Sequence, residues 1–306
     1  MTVVAFLICV VIIYLLPFRT AERPESFSYL YQMAYNRTRN FYINQDCITV
    51  YIKEDGIWEP FLVLEANYAG RRNNGTLLLR RYLLPNRVPW YWREFNQERG
   101  ADPHYYPTSY IDYWLNTEYM ARFSYLMQET ILVANVVVEA HEPPNQNRAT
   151  KIVQKQIFLL SEQELGGVSV SSPSPVNEGR MIRYFYPGRW FYLDNRLESQ
   201  RRQRLQAVTR YGYAHDSHVP MWAYGERVFG ERGRGFSGYM WWTRTERRTI
   251  AGGTIATVGE RGILNPLEPD SSAFVRPAFT MPANTLLTLY EIKCGKFVYV
   301  INLYEN

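Results

Sequence analysis

Gly238-Tyr239-Met240-Trp241-Trp242-Thr243-Arg244-Thr245 sets three large aromatic side chains beside one cation. Gly252-Gly253-Thr254-Ile255-Ala256-Thr257-Val258-Gly259 follows, a β-branched run bounded by glycines. Then comes Phe274-Val275-Arg276-Pro277-Ala278-Phe279, an apolar run broken by Arg-Pro. Together they read as strand, turn, strand, turn, strand. A Trp pair brings a large apolar area to a core. Arginines beside such rings stack on them or hold backbone carbonyls. This block is therefore read as the core of a β-rich domain and not as an active site.

The chain has 306 residues, enough for one large or two small domains. Hydrophobic residues make up 46%, so a sizeable core is within reach, and aromatics at 16% favour strands over helical bundles. The net charge of +5 comes from scattered arginines without a long basic run, so nucleic acid is not an expected partner. Cys47 and Cys294 lie in strand-like runs near the two ends of the globular part, and Cys9 lies in an apolar run. If the terminal strands meet, Cys47 and Cys294 form a disulfide; otherwise they are two separate buried thiols. No CxxC pair suggests structural zinc, and no metal or cofactor is expected.

Residues 2–18 are almost wholly apolar and include Val3, Val4, Phe6, Leu7, Ile8, Val11, Ile12 and Leu15. That is about the minimum length for a membrane-crossing helix. Three readings stay open for residues 1–20: an uncleaved membrane anchor, a signal sequence, or an apolar helix buried when copies of the chain assemble. Thr2 followed by an apolar run resembles mature type IV pilins, with Ala5 where those usually carry Glu. Residues 21–42 are assigned as a connecting segment, with a short helix from Ser26 to Arg39 capped by Ser26. Residues 43–306 are assigned as the folded domain. Asn36-Arg37-Thr38 and Asn74-Gly75-Thr76 fit the N-glycosylation sequon.

Within that domain, Cys47–Lys53 turns at Glu54-Asp55-Gly56 into Ile57–Glu65, and Thr76–Leu84 follows as a further strand. Pro85–Pro107 reads as a long irregular loop containing Trp90-Tyr91-Trp92 and Tyr105-Tyr106. Ser109–Gln128 reads as one helix, with Ile111, Trp114, Leu115, Tyr119 and Phe123 at helical spacing. Thr130–Ala140 and Lys151–Leu160 read as strands, and Ser161 with Glu164 forms a capping-box pattern. Leu286–Tyr290 and Lys296–Tyr304 read as a closing hairpin around Gly295.

Six short motifs occur in order: Trp58–Leu64, Thr76–Leu84, Tyr113-Trp114-Leu115-Asn116, Ile157–Glu164, Trp241–Thr245 and Val275–Phe279. Over roughly residues 43 to 300 the chain resembles an uncharacterised bacterial and phage domain family related to the C-type-lectin-like group. The resemblance implies an α+β fold with a mostly antiparallel sheet, one or two packed helices and long loops. It also implies paired N- and C-terminal strands and a variable loop surface. It implies no catalytic residues.

His215-Asp216-Ser217-His218 is the one cluster with metal-ligand or acid/base residue types, and a polar loop is its simpler reading. The arginines at 196, 201, 202 and 204 read as a solvated basic face. No nucleophile elbow, phosphate loop or dinucleotide fingerprint occurs, so no enzyme is expected. Trp90, Tyr91, Trp92, Tyr105 and Tyr106 are the candidate ligand-binding residues, because loop aromatics give large contact area at low entropy cost. The expected protein is a non-enzymatic, extracellular, cell-surface or virion protein. Its loops contact a glycan or protein receptor, and residues 2–18 hold a membrane or a second copy. The alternatives are a structural subunit of a filament or particle, and a metal-dependent enzyme using His215, Asp216 and His218.

Overall fold

The computed structural model describes residues 25–36, 48–68, 75–98, 102–140, 149–166, 177–185, 240–249, 252–259, 264–293, 296–301 and 303. The apolar segment 1–20, both candidate disulfide cysteines, the His215–His218 cluster and the arginines at 196–204 lie outside the described residues.

The fold is α+β, with mostly antiparallel sheets and a few short helices. Strand β1 (Glu25–Ser26) runs into helix α1 (Phe27–Asn36), where the Tyr29 N–H donates to Ser26 Oγ at 3.4 Å. This start lies inside the 21–42 stretch assigned as a connector, yet it is part of the packed domain. Phe27, Leu30 and Tyr35 are buried, and Tyr35 Oη donates to the Leu64 carbonyl at 2.8 Å.

Strands β2 (Thr49–Glu54) and β3 (Ile57–Glu65) form a hairpin around Asp55 (φ 49°) and Gly56 (φ 77°). Positive φ at both central residues is the mirror-image turn that matches strand twist, and Asp-Gly supplies it. Strand β4 (Gly75–Arg80) pairs with β3. Strand β5 (Arg87–Pro89), helix α2 (Arg93–Glu98) and a 3₁₀ turn (Tyr106–Thr108) occupy the stretch expected to be irregular.

The expected single helix over 109–128 is instead a broken series. It comprises α3 (Tyr110–Trp114), a π turn (Leu115–Tyr119), a 3₁₀ turn (Met120–Arg122) and α4 (Tyr125–Thr130). Ser109 caps the start by accepting from the Asp112 N–H. Phe123 is extended at the break, where its ring packs 5.4 Å from Tyr119 and 5.7 Å from Phe279. Ser124 caps the new helix by accepting from the Met127 N–H.

The remaining strands are β6 (Ala134–Glu139), β7 (Thr150–Lys155), β8 (Ile157–Phe158), β9 (Trp241–Thr249), β10 (Gly252–Val258), β11 (Leu264–Leu267), β12 (Ser272–Phe274), β13 (Ala278–Pro282), β14 (Leu286–Lys293) and β15 (Lys296–Ile301). One eight-stranded sheet has the order β1-β14-β15-β2-β3-β4-β13-β8. A five-stranded sheet has the order β11-β10-β9-β12-β5, and β6-β7 is a two-stranded ribbon. The terminal strands do meet: β15 runs parallel to β2, with Tyr299 opposite Val50.

The opening motif is core, as its composition indicates. Trp241 and Trp242 are fully buried, and the Arg276 guanidinium lies 5.2 Å from the Trp241 ring centroid. Arg276 Nε donates to the Arg80 carbonyl at 2.9 Å, which ties β13's approach to the end of β4. Burial lowers the Arg276 pKa to about 10.

Candidate functional site

The five aromatics expected to bind ligand do not share one surface. Trp90 is 0% exposed, with ring centroids of Tyr106 and Trp242 at 5.6 and 5.7 Å. Tyr106 is buried too, and its Oη accepts from the Leu159 N–H at 3.1 Å. Burial, then the charge of Asp112, pushes the Tyr106 hydroxyl well above its ordinary pKa. Trp90 and Tyr106 therefore pack into the core beside Trp242, and neither is a surface ligand contact. Tyr91 is half-buried, and its N–H donates to the Pro269 carbonyl at 3.0 Å. Tyr105 is half-buried beneath Lys151, whose Nζ lies 4.6 Å from the ring centroid.

Trp92 differs from these, being 48% exposed. It meets Tyr110 edge-on at 5.1 Å, Phe95 meets Tyr110 at 5.4 Å, and Phe95 meets Tyr113 at 4.7 Å. Tyr113 is 38% exposed, and Glu94 and Glu118 are exposed beside these rings in sequence. Tyr110 Oη donates to Glu118 Oε1 at 3.4 Å. The result is an aromatic face with the Glu118 carboxylate at its rim, built by the starts of α2 and α3. Asn96 fixes its geometry: Oδ1 accepts from the Trp92 N–H at 3.1 Å, and Nδ2 donates to the Thr108 carbonyl at 3.2 Å. Phe95 and Tyr110 belong to no sequence motif, and Tyr113 belongs to one only as the first residue of the 113–116 motif. The available signal was the helical repeat itself. Ile111, Trp114 and Leu115 take the buried face, which leaves Tyr110 and Tyr113 on the other side.

Behind this face, Asn116 closes the Trp114-Leu115-Asn116 motif onto β8. Its Oδ1 accepts from the Ile157 N–H at 3.1 Å and its Nδ2 donates to the Ile157 carbonyl at 3.0 Å. The side chain thus pairs with an edge strand as a strand backbone would. Asp112 is buried and bonded to Lys155, and burial raises its pKa to about 6 against the pull of that lysine.

A second polar centre gathers around Arg244 of β9, which is fully buried. Its guanidinium donates to the carbonyls of Val137 (3.0 Å), Leu159 (2.7 Å) and Glu178 (2.8 Å), and to Glu164 Oε2 (2.7 Å). Burial opposes the charge, and the carboxylate of Glu164 outweighs it, leaving the Arg244 pKa raised. Ser161 and Glu164 form the expected reciprocal capping box. The Ser161 N–H donates to Glu164 Oε2 at 3.0 Å, and the Glu164 N–H donates to Ser161 Oγ at 3.1 Å. Tyr68 Oη donates to Glu164 Oε1, so each oxygen of this carboxylate is engaged. Glu178 accepts from Thr245 Oγ1 and from the Glu139 N–H, and burial raises its pKa to about 7. This constellation is saturated by its own members, which suits a structural clamp between β9, the 159–164 segment and β6.

Among the described residues no group of three or more His, Cys, Asp or Glu is placed to hold a metal. A model of a domain of unknown function, DUF6273, matches residues 73–283. The chain belongs to this family. The DUF6273 match is shorter at both ends than the 43–300 resemblance read from sequence. It includes the aromatic face, Asn116 and the Arg244 clamp, and leaves β1–β3 and β14–β15 outside. No curated protein and no solved structure matches the chain.

Proposed function

We propose that this protein is a non-enzymatic, exported or virion-borne binding protein whose aromatic face contacts a glycan on a receptor. The carrying observation is the exposure of Trp92 and Tyr113 in a mutually packed aromatic group on a well-braced surface. Rings held in place lose little entropy on binding, and the Glu118 carboxylate at the rim can accept a sugar's hydroxyls. Residues 2–18 would tether the domain to a membrane or to another copy, giving a homo-oligomer. Kinship with the C-type-lectin-like group belongs to the same reading. It is supported by the pairing of terminal strands through β14, β15 and β2 and by long connections between strands.

The test is a glycan array probed with the full-length protein and with Trp92→Ala and Tyr113→Ala. Retained folding with a loss of about tenfold or more in apparent affinity supports the reading. Binding that ignores both substitutions overturns it. Ordered particles that fall apart on Trp92→Ala would favour the structural-subunit alternative.

A further inference from the structure

The β6-β7 ribbon has a register that fixes which backbone groups face outward. The Ala140 N–H donates to the Ala149 carbonyl at 2.8 Å, and Val138↔Lys151, Val136↔Val153 and Ala134↔Lys155 follow at two-residue steps. Those pairs bond across the ribbon, so Asn135, Val137 and Glu139 turn their N–H and C=O groups to the outer edge of β6. Two contacts agree: Arg244 Nε donates to the Val137 carbonyl, and the Glu139 N–H donates to Glu178 Oε1. The Asn135 N–H, the Asn135 carbonyl and the Val137 N–H have no hydrogen bond among the described residues.

This edge borders a cleft of about 550 Å³. Its lining includes Asn135, Val137 and Ile152 of the ribbon, Asn67 and Tyr68 after β3, and Glu65. The side-chain amides of Asn67 and Asn135 are uncommitted among the described residues. Asn67 is held at φ 58°, a left-handed conformation that places it at the turn after β3. Tyr68 is anchored through Glu164 to Arg244, so that wall of the cleft is rigid. Burial raises the Glu65 pKa against the pull of Arg180, which lies 3.3 Å away and also lines the cleft, and of Arg183.

We propose that this cleft takes an extended peptide, whose backbone pairs with the open groups of β6, the Asn135 N–H and carbonyl and the Val137 N–H, beside the stretch that Arg244 and Glu178 already close. A peptide backbone supplies alternating N–H and C=O groups at the spacing of a strand edge. Free amide side chains hold such a backbone from the flank. This site is separate from the aromatic face and stands or falls independently of it.

Amide hydrogen exchange on the full-length protein tests the open edge without any ligand. Asn135 and Val137 should exchange about 100-fold faster than Val136 and Val138. Equal protection would mean that another segment of this chain or a second copy already covers the edge, and would overturn the proposal. A random dodecapeptide display library panned on the full-length protein then supplies the probe. Selected peptides should bind about tenfold more weakly when alternate backbone amides are N-methylated, and should bind Val137→Pro similarly weakly. Val137→Pro removes an outward N–H and no ladder bond. If that variant does not fold, the N-methylated peptides on the wild-type protein decide alone. Selected peptides should bind Trp92→Ala unchanged. Failure to select any peptide, or indifference to N-methylation, refutes strand addition.

Discussion

Replacing Arg244 by methionine keeps most of the buried stem and removes the guanidinium. Four hydrogen bonds go with it: to the Val137, Leu159 and Glu178 carbonyls and to Glu164. The Glu178 carbonyl keeps the Ser161 hydroxyl at 3.0 Å, and Glu164 keeps Tyr68 and the Ser161 N–H. The main cost is a carboxylate left buried without its counter-charge, about 3–5 kcal/mol where one partner of a buried pair is removed. The carbonyls that lose a donor each add about 1 kcal/mol. Against a total stability of roughly 5–15 kcal/mol, the variant should be marginal. Arg244→Met combined with Glu164→Gln should be more stable than Arg244→Met alone by about 1–3 kcal/mol, because the orphaned charge is gone. Arg244→Lys should lose less than Arg244→Met, since its ammonium keeps the counter-charge for Glu164 but cannot reach all four divergent acceptors. Equilibrium urea unfolding followed by tryptophan fluorescence measures these variants and Glu164→Gln alone. A loss below about 1 kcal/mol for Arg244→Met, or strictly additive losses in the double variant, would refute the description of Arg244 as the central clamp.

Trp90→Ala should cost about 3–5 kcal/mol, while Trp92→Ala should change stability by no more than about 0.5 kcal/mol, as thermal unfolding would show. Glu178 gives a pH dependence. Its native pKa of about 7 lies above the ordinary 4.5, so the native state holds a proton that the unfolded chain releases. The stability this contributes is full below about pH 4.5 and is lost as pH rises through about 7. Arg244, Glu139 and Thr245 face the group, and Glu178→Gln should flatten the profile of urea midpoints between those values. Gly56→Ala should cost about 1 kcal/mol in chemical unfolding, wholly from the positive φ, because an added Cβ meets nothing within 4 Å. Asn116→Leu should cost about 2 kcal/mol in the same assay by orphaning both backbone groups of Ile157.

Local chemistry was legible in the sequence. Asp55-Gly56 specifies its turn whatever surrounds it, because only its φ values decide the hairpin. The Ser161–Glu164 capping box and the Ser26 cap formed where their spacing put them. The burial of Trp241, Trp242 and Arg276 followed from composition, since so much apolar area beside a cation has few other fates. Tertiary packing decided what spacing could not carry. The helix over 109–128 breaks at Phe123, which is extended with its ring against Phe279 of the sheet, and Ser124 caps a new helix after it. Trp90 and Trp92 are two residues apart and identical in type. One is buried against Trp242 and the other is exposed beside Tyr110, because the chain leaves β5 there and only one side faces the sheet. The outer edge of β6, the cleft beside it and the meeting of Arg244 with Glu164 and Glu178 join residues far apart in the chain. Periodicity reports which way a side chain points along its own element. It does not say which distant element comes to meet it, and that is fixed only when the sheets close on one core.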